Sequence, residues 1–423
     1  MSKIAVIGTG YVGLTTGACF AHVGHDVVCA DIDADKVTRL SRGEVPILEA
    51  GLDNLVREGI DGGRLSFVLG AAAAVTDCEF AFLCVPTPQG EDGSADLSYI
   101  EAAAREIGPL LPSEAIVVNK STVPVGSTRV VERALERSDV SVVSNPEFLR
   151  EGSAIHDFLN PDRIVIGAED QDAAVRVASL YLGITAPVIV TDPASAETIK
   201  YAANAFLATK ISFINAVAAV CEAVGADIKD VALGMGYDSR IGHEFLKPGP
   251  GWGGSCFPKD TRAMVRIAED AGYDFNLLKG VVTVNDEQLN RVADKIVDLA
   301  GGSVEGKRIG VWGLTFKART DDLRESPALA IIERLVARGA EVRGYDPSQP
   351  RQLDGLEVVD DPYAAVEGAE VLAVLTEWDE FRWLDADKVA EVMAAKKVVD
   401  ARNLLDRAAY VRRGFEYLGI GRA

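Results

Sequence analysis

The stretch KIAVIGTGYVGLTTGACFAHVGHDVVCAD, residues 3–31, decides the fold. KIAVI reads as a short buried strand, LTTGACFAHVG as a helix and DVVCAD as a second strand, a βαβ opening. Between strand and helix lies GTGYVG, with Gly8, Gly10 and Gly13 in the GxGxxG spacing. In such a turn the first glycine allows the tight reversal, the second lets the backbone approach a pyrophosphate, and the third lets helix and strand pack closely. The helix N-terminus adds amide donors for the anion. Asp31 closes the second strand, where a carboxylate suits a ribose 2′-hydroxyl and repels a 2′-phosphate. The stretch points to NAD in preference to NADP. An FAD site and a glycine-rich turn of no function are the rival readings.

The same alternation continues outward. EFAFLCVPTP (79–88), EAIVVNKSTVPVG (114–126), DVSVVSNPEF (139–148), RIVIGA (163–168) and PVIVTD (187–192) are apolar runs punctuated by Pro, Gly, Asn or Ser, with helical stretches between several of them. From Ser195 to about Val224 there is no Gly or Pro, and the segment reads as one long Ala-rich helix. Near Gly301 the βαβ grammar restarts with GKRIGVWGL, SPALAIIERLVARG and AEVRGYDP, and AEVLAVLTEW and KKVVDARNL read as two more strands. The expected fold is α/β: two Rossmann-like doubly wound domains joined by a long central helix, divided as 1–194, 195–300 and 301–423. The halves share architecture but not sequence. The second has only VWGL at the matching turn, followed by TFKARTDDLRES with Lys317, Arg319 and Arg324. That segment reads equally as a binder of a second anionic group or as a solvated charged loop.

Composition limits the function. With 423 residues, 48% hydrophobic and 25% charged, the chain is long enough for two or three domains. A net charge of −21 argues against nucleic acid, which needs a basic footprint, but not against a nucleotide ligand. The chain enters a strand at once, so no leader is expected, and no uninterrupted apolar run approaches the ~18 residues of a membrane span. The six cysteines form no CxxC, and no metal site is expected. A reduced, cytoplasmic protein is the simplest expectation.

Five cysteines (Cys19, Cys29, Cys78, Cys84, Cys221) lie in apolar or tightly packed contexts and read as inert core. Cys256 differs, because GWGGSCFPKD (251–260) surrounds it with small residues and follows it with Lys259 and Asp260. A dehydrogenase needs no thiol to make a carbonyl, but a thiolate that captures an aldehyde opens the way to an acid through a thioester. On the central helix, Lys200 and Asn204 are four apart and share a face. Spacing alone leaves a solvent-reaching lysine the commoner outcome.

Taken together, GTGYVG (8–13), CVPTP (84–88), KSTVPVG (120–126), NPEFLREGSA (145–154), PDRIVIG (161–167), KYAANAFLATKISFIN (200–215), RIGHEFLKPGPGWGGSCFPKD (240–260) and TFKARTDDLRES (315–326) resemble the UDP-glucose/GDP-mannose dehydrogenase family over essentially the whole chain. FLKPGPGWGGSCFPKD is similar to the branch acting on UDP-glucose. The resemblance implies NAD-dependent four-electron oxidation of UDP-glucose to UDP-glucuronate, with a dehydrogenase of GDP-mannose or UDP-N-acetylmannosamine, or a non-catalytic sensor of the same ligands, as alternatives. It implies Cys256 as nucleophile, Lys200 and Asn204 as stabilisers of oxyanions and ordered water, Asp260 as an orienting carboxylate, Glu147 as an aid to thioester hydrolysis and Thr122 as a water-holding residue beside the nicotinamide. NAD contacts are expected from Gly8, Gly10, Tyr11, Val12, Gly13, Asp31, Lys36, Thr87, Thr122, Glu151 and Arg324. The sugar nucleotide is expected to meet Glu147, Phe148, Leu149, Arg150, Lys200, Asn204, Phe245, Lys247, Gly249, Gly253, Lys317 and Arg402, with Arg240 reaching it in relatives from a partner subunit. A homodimer through the central helix is expected, with no nucleic acid or membrane partner.

Overall fold

The structure, a computed structural model, describes residues 1–88, 90, 95–348, 353 and 355–422. It divides into two compact units, Met1–Ala203 and Asn204–Ala423.

The first unit is built on eight strands: β1 (Lys3–Ile7), β2 (Asp26–Asp31), β3 (Leu65–Leu69), β4 (Phe80–Leu83), β5 (Ile116–Asn119), β6 (Ser141–Ser144), β7 (Ile164–Gly167) and β8 (Val188–Thr191). They lie in the order β3-β2-β1-β4-β5-β6-β7-β8. β1 sits between β2 and β4, so the order reverses there, and ligands of doubly wound sheets bind at such a switch point beyond the strand C-termini. Ile7 is level with Ala30 on one side and Leu83 on the other, so Gly8, Asp31 and Cys84 emerge at one sheet edge. Val6, Phe82, Val118 and Ile166 pack with the first helix (Tyr11–His22) into one core layer, while Ala5, Leu83 and Val117 face a second layer on the opposite side. Both faces of the sheet are thereby covered, which explains the near-continuous apolar strands.

One detail departs from an all-parallel sheet. β6 and β7 meet antiparallel through the Ser144–Gly167 pair, and β8 then runs parallel to β7. A strand arriving in the opposite direction needs no crossover spanning the sheet, and the intervening segment holds only the six-residue helix Ala154–Leu159.

The second unit carries β9 (Arg308–Trp312), β10 (Glu341–Tyr345), β11 (Leu356–Val359), β12 (Val371–Val374), β13 (Lys397–Asp400) and β14 (Glu416–Gly419). Their order is β11-β10-β9-β12-β13-β14, and every pairing is parallel. The helix Asn276–Leu299 packs Val292 and Ile296 into the same core as Ile309, Val311 and Ile331.

The central helix runs from Pro193 to Val224, two residues earlier than its Gly- and Pro-free stretch. Proline fits a first helical turn because its missing N–H has no partner to lose. By length and composition this helix would suffice to cross a membrane. It nevertheless carries the buried polar groups Glu197, Lys200 and Asn204, each bonded to protein groups. The boundary between the two units falls within it.

Candidate active site

The dinucleotide turn has the local geometry that its glycines require. Gly8 has φ 96°, and its N–H donates to Ala30 O at 2.8 Å. A Cβ on Gly13 would meet Gly8 O at 1.9 Å, whereas Gly10 faces open space. Tyr11 and Val12 begin the following helix, whose first amides point out of the turn. Asp31 pins the turn by accepting from Thr9 N (3.0 Å) and Thr9 Oγ1 (2.5 Å), and Lys36 reaches it at 2.9 Å. Burial pushes the Asp31 carboxyl up, but the bonds from Thr9, Lys36 and Asp33 outweigh it and hold the group at about 2. The carboxylate is therefore ionised where a ribose hydroxyl is expected. Thr87 donates to Thr122 O at 2.9 Å, joining the CVPTP and KSTVP segments at the ends of β4 and β5.

Glu49, a residue not singled out by its sequence, is buried beneath this turn. It accepts from Tyr11 Oη, from Gly152 N at 2.7 Å and from Ala154 N at 2.9 Å, tying the turn to the 147–154 segment. Within that segment Glu147 is buried and accepts from Lys200 Nζ at 2.9 Å through one oxygen and from Leu149 N at 2.5 Å through the other. Lys200 is 3% exposed, so the solvent-reaching reading of this lysine is overturned; its length is spent on a carboxylate inside the protein. Phe148 lies between cations, with Arg163 3.6 Å and Lys200 5.5 Å from the ring centroid. Arg150 is clamped by Asp157, and Glu151 is half-buried.

Next to Glu147 lies a third buried ionisable group that sequence reading passed over. Lys120 Nζ donates to Asn145 Oδ1 (3.0 Å) and Tyr181 Oη (3.3 Å). Burial lowers its pKa to about 8, partly opposed by the charge of Glu147.

In the second unit, Cys256 caps the helix Phe257–Asp270, with Pro258 in the first turn. The free amides of a helix N-terminus favour negative charge. Cys256 is half-buried, whereas the other five cysteines are buried. Desolvation raises Cys19, Cys78 and Cys84 to about 12 each and Cys29 higher still, so these four stay protonated thiols. One turn along the cysteine helix, Asp260 is fully buried. Asn204 Nδ2 donates to its Oδ2 at 2.6 Å and Lys259 Nζ to its Oδ1 at 2.8 Å. Lys200 is thus bonded to Glu147, and Asn204 to Asp260.

The glycine-rich lead-in is framed by two helices. Gly249 N donates to Asn215, Gln288 donates to Gly249 O, and Asn285 bonds both the N–H and C=O of Trp252. A Cβ on Gly253 would meet Glu325 O at 2.0 Å, so only glycine fits there. Phe245 has φ 62°, and Arg319 (67°), Glu325 (48°) and Asn403 (50°) are also left-handed. Such backbone strain gathers at functional loops, and four of the six left-handed non-glycine residues among those described lie in or beside the segments expected to meet ligand. Lys247 is exposed and Lys317 half-buried, its ammonium 5.3 Å from the Phe316 ring centroid. Arg324 grips Asp322 (2.7 Å), and Arg319 pairs at the surface with Asp379 (2.9 Å). Arg402 donates to Leu375 O (2.9 Å) and Phe316 O (3.2 Å), and it lies against Gly249. Arg240 is exposed and held by Asp238. Among the described residues no cluster of His, Cys, Asp or Glu has the makings of a metal site.

The second unit repeats the pinning device in altered form. Asp346, after β10, accepts from Leu314 N (2.7 Å), Thr315 N (3.0 Å) and Trp378 Nε1 (3.1 Å). The tryptophan occupies this carboxylate, which Asp31 does not experience.

Comparison with known proteins gives three family-model matches along the chain. Residues 2–185 match the NAD binding domain of the UDP-glucose/GDP-mannose dehydrogenase family, 194–287 its central domain and 310–407 its UDP binding domain. The chain is 48% identical to a UDP-glucose 6-dehydrogenase of Rhizobium meliloti, covering 99% of each, and 46% identical to one of Bacillus subtilis, covering 100% of this chain and 94% of the relative. Among solved structures it resembles a UDP-glucose dehydrogenase of Pyrobaculum islandicum, with 40% identity, TM-score 0.92 and coverage of 100% and 98%. It also resembles a UDP-D-ManNAc dehydrogenase of Pyrococcus horikoshii, with 29% identity, TM-score 0.89 and 99% of each chain covered.

Proposed function

Because the chain belongs to the UDP-glucose/GDP-mannose dehydrogenase family, we propose that it catalyses the four-electron oxidation of UDP-glucose at C6 to UDP-glucuronate. The observation that carries this reading is Cys256, the one cysteine of six that is not buried, at a helix N-terminus and one turn from the buried Asp260. Segment 1–194 serves as the cofactor domain, 195–300 as the central domain with the cysteine loop, and 301–423 as the UDP-sugar domain.

Bound NAD supplies the hydride acceptor twice, once for alcohol to aldehyde and once for thiohemiacetal to thioester. Gly8, Gly10, Tyr11, Val12, Gly13 and the Asp31–Lys36 pair hold it, with Thr87, Thr122, Glu151 and Arg324 as further contacts. Ordered water oriented by Asp260 receives the hydroxyl proton, while Lys200 and Asn204 steady the alkoxide that forms. The Cys256 sulfur adds to the aldehyde carbon, so no free aldehyde leaves between steps. Glu147 then takes a proton from water, whose oxygen attacks the thioester carbon; the C–S bond breaks and the thiolate is restored. Each turnover consumes two NAD and one water. Phe148, Leu149, Arg150, Phe245, Lys247, Gly249, Gly253, Lys317 and Arg402 bind the sugar nucleotide, with Arg240 contributed by a partner subunit.

Phe206, Phe213 and Val220 support a homodimer through the central helix: they are seven residues apart, 64%, 52% and 59% exposed, and form one apolar stripe. Cys19, Cys29, Cys78, Cys84 and Cys221, all buried thiols outside any disulfide, fit a cytoplasmic location.

NADH formed per UDP-glucose consumed tests the chemistry. Two is expected; one, with free aldehyde released, overturns it. Cys256→Ser should make no acid, and acid formed at the parent rate would exclude the thiol. A panel of UDP-glucose, UDP-galactose, GDP-mannose and UDP-N-acetylmannosamine tests the substrate.

A further inference from the structure

The ion pair of Lys200 with Glu147 presents an electrostatic difficulty. Both groups are buried and 2.9 Å apart, so together they carry no net charge. A neutral pair gives a developing oxyanion far less support than a cation does. Lys120 resolves this. Its ammonium is buried, faces Glu147 and Lys200 across the same interior, and is held by two uncharged oxygens, Asn145 Oδ1 and Tyr181 Oη. Tyr181 in turn donates to Asn145 Oδ1 at 2.6 Å, and Asn145 Nδ2 donates to Val165 O at 2.7 Å, so the whole support is fixed to β7. Lys120, Asn145, Glu147, Phe148 and Tyr181 line a cavity of about 40 Å³, ample for a water among polar groups.

We propose that Lys120 is a positioning residue that offsets the charge of Glu147, leaving Lys200 with positive charge to spare for a substrate oxygen. The inference rests on the dehydrogenase reading above. The groups facing Lys120 are Glu147, Lys200, Cys84 and Tyr181, and Arg163 and Asp157 line the same cavity. Of these, Glu147 is the anion that favours the Lys120 ammonium, and burial and Lys200 oppose it. The trio therefore keeps its net positive charge at neutral pH and loses it as pH rises through about 8.

The test is the pH profile of kcat with saturating UDP-glucose and NAD for parent, Lys120→Met and Lys120→Arg. The parent rate should fall above about 8. Lys120→Met should lower kcat at pH 7 by about tenfold or more, leave both KM values within about twofold, and lack the descending limb. Lys120→Arg, which cannot discharge, should keep its rate past that limb. A Lys120→Met enzyme with the parent kcat and limb overturns the proposal. If that variant does not fold, Tyr181→Phe removes one acceptor from the ammonium, so the limb should move to lower pH; an unmoved limb overturns it equally. A parent inactive on UDP-glucose would sink the functional reading instead. In that event, NMR of ¹³Cε-labelled lysines in the ligand-free protein decides: Lys120 must titrate near about 8 and the Lys200 signal must move with it.

Discussion

Removing one member of a buried ion pair costs more than the pair contributes, because the other charge loses its nearest compensation inside the protein. Lys200→Met should therefore destabilise the first unit by roughly 3 kcal/mol, measured by urea unfolding. Glu147→Gln keeps the shape and accepts from Leu149 N, but removes the proposed base. It should still release NADH in a first burst and then hold an acyl adduct on Cys256, visible as a mass increase of the intact chain. Asp31 offers a pH test. Its folded value lies below the ordinary 3.8, so its stabilising contribution is full above that pH and is lost as pH falls through about 2. Asp31→Asn should flatten acid unfolding in that window, raise the KM for NAD and admit NADP. At this scale Asp31 and Cys256 were legible because a strand end and a glycine-rich lead-in are local signals. Lys120 and Glu49 were not, because a lysine after a strand and a glutamate in a loop look like surface residues until distant Asn145, Tyr181 and Gly152 close over them.

Segments proposed to carry ligand contacts depend on the elements that end them. Ser326 caps the helix Pro327–Val336 and donates to Leu314 O at 2.7 Å, bridging both ends of the 315–326 loop. Ser326→Ala should cost about 1 kcal/mol of stability and raise the KM for UDP-glucose while sparing that for NAD, as initial-rate kinetics would reveal. The long helix was readable from an unbroken run of helix formers, as were the strands of uniform apolar residues. β3, β11 and β14 were passed over, since LSFVL, LEVV and EYLG alternate or are short. The reversed direction of β7 has no local signature, because a strand's sense depends on where the chain returns.

At the scale of the molecule, the order of strands around β1 and β9 follows from repeated βαβ units, which is why the fold class could be read from segment grammar alone. The proposed homodimer depends instead on which helix face remains uncovered. Replacing Phe206 and Phe213 together with Glu should shift the protein to monomer in sedimentation velocity, with far-UV circular dichroism unchanged. The distribution of thiols has a practical consequence. Five sulfurs lie inside the two cores and one does not, so the native chain holds a built-in stoichiometric reporter. Iodoacetamide should add one label per native chain and six after unfolding, and substrate should slow that single addition. The fraction labelled then counts functional molecules in any preparation, before a rate is measured.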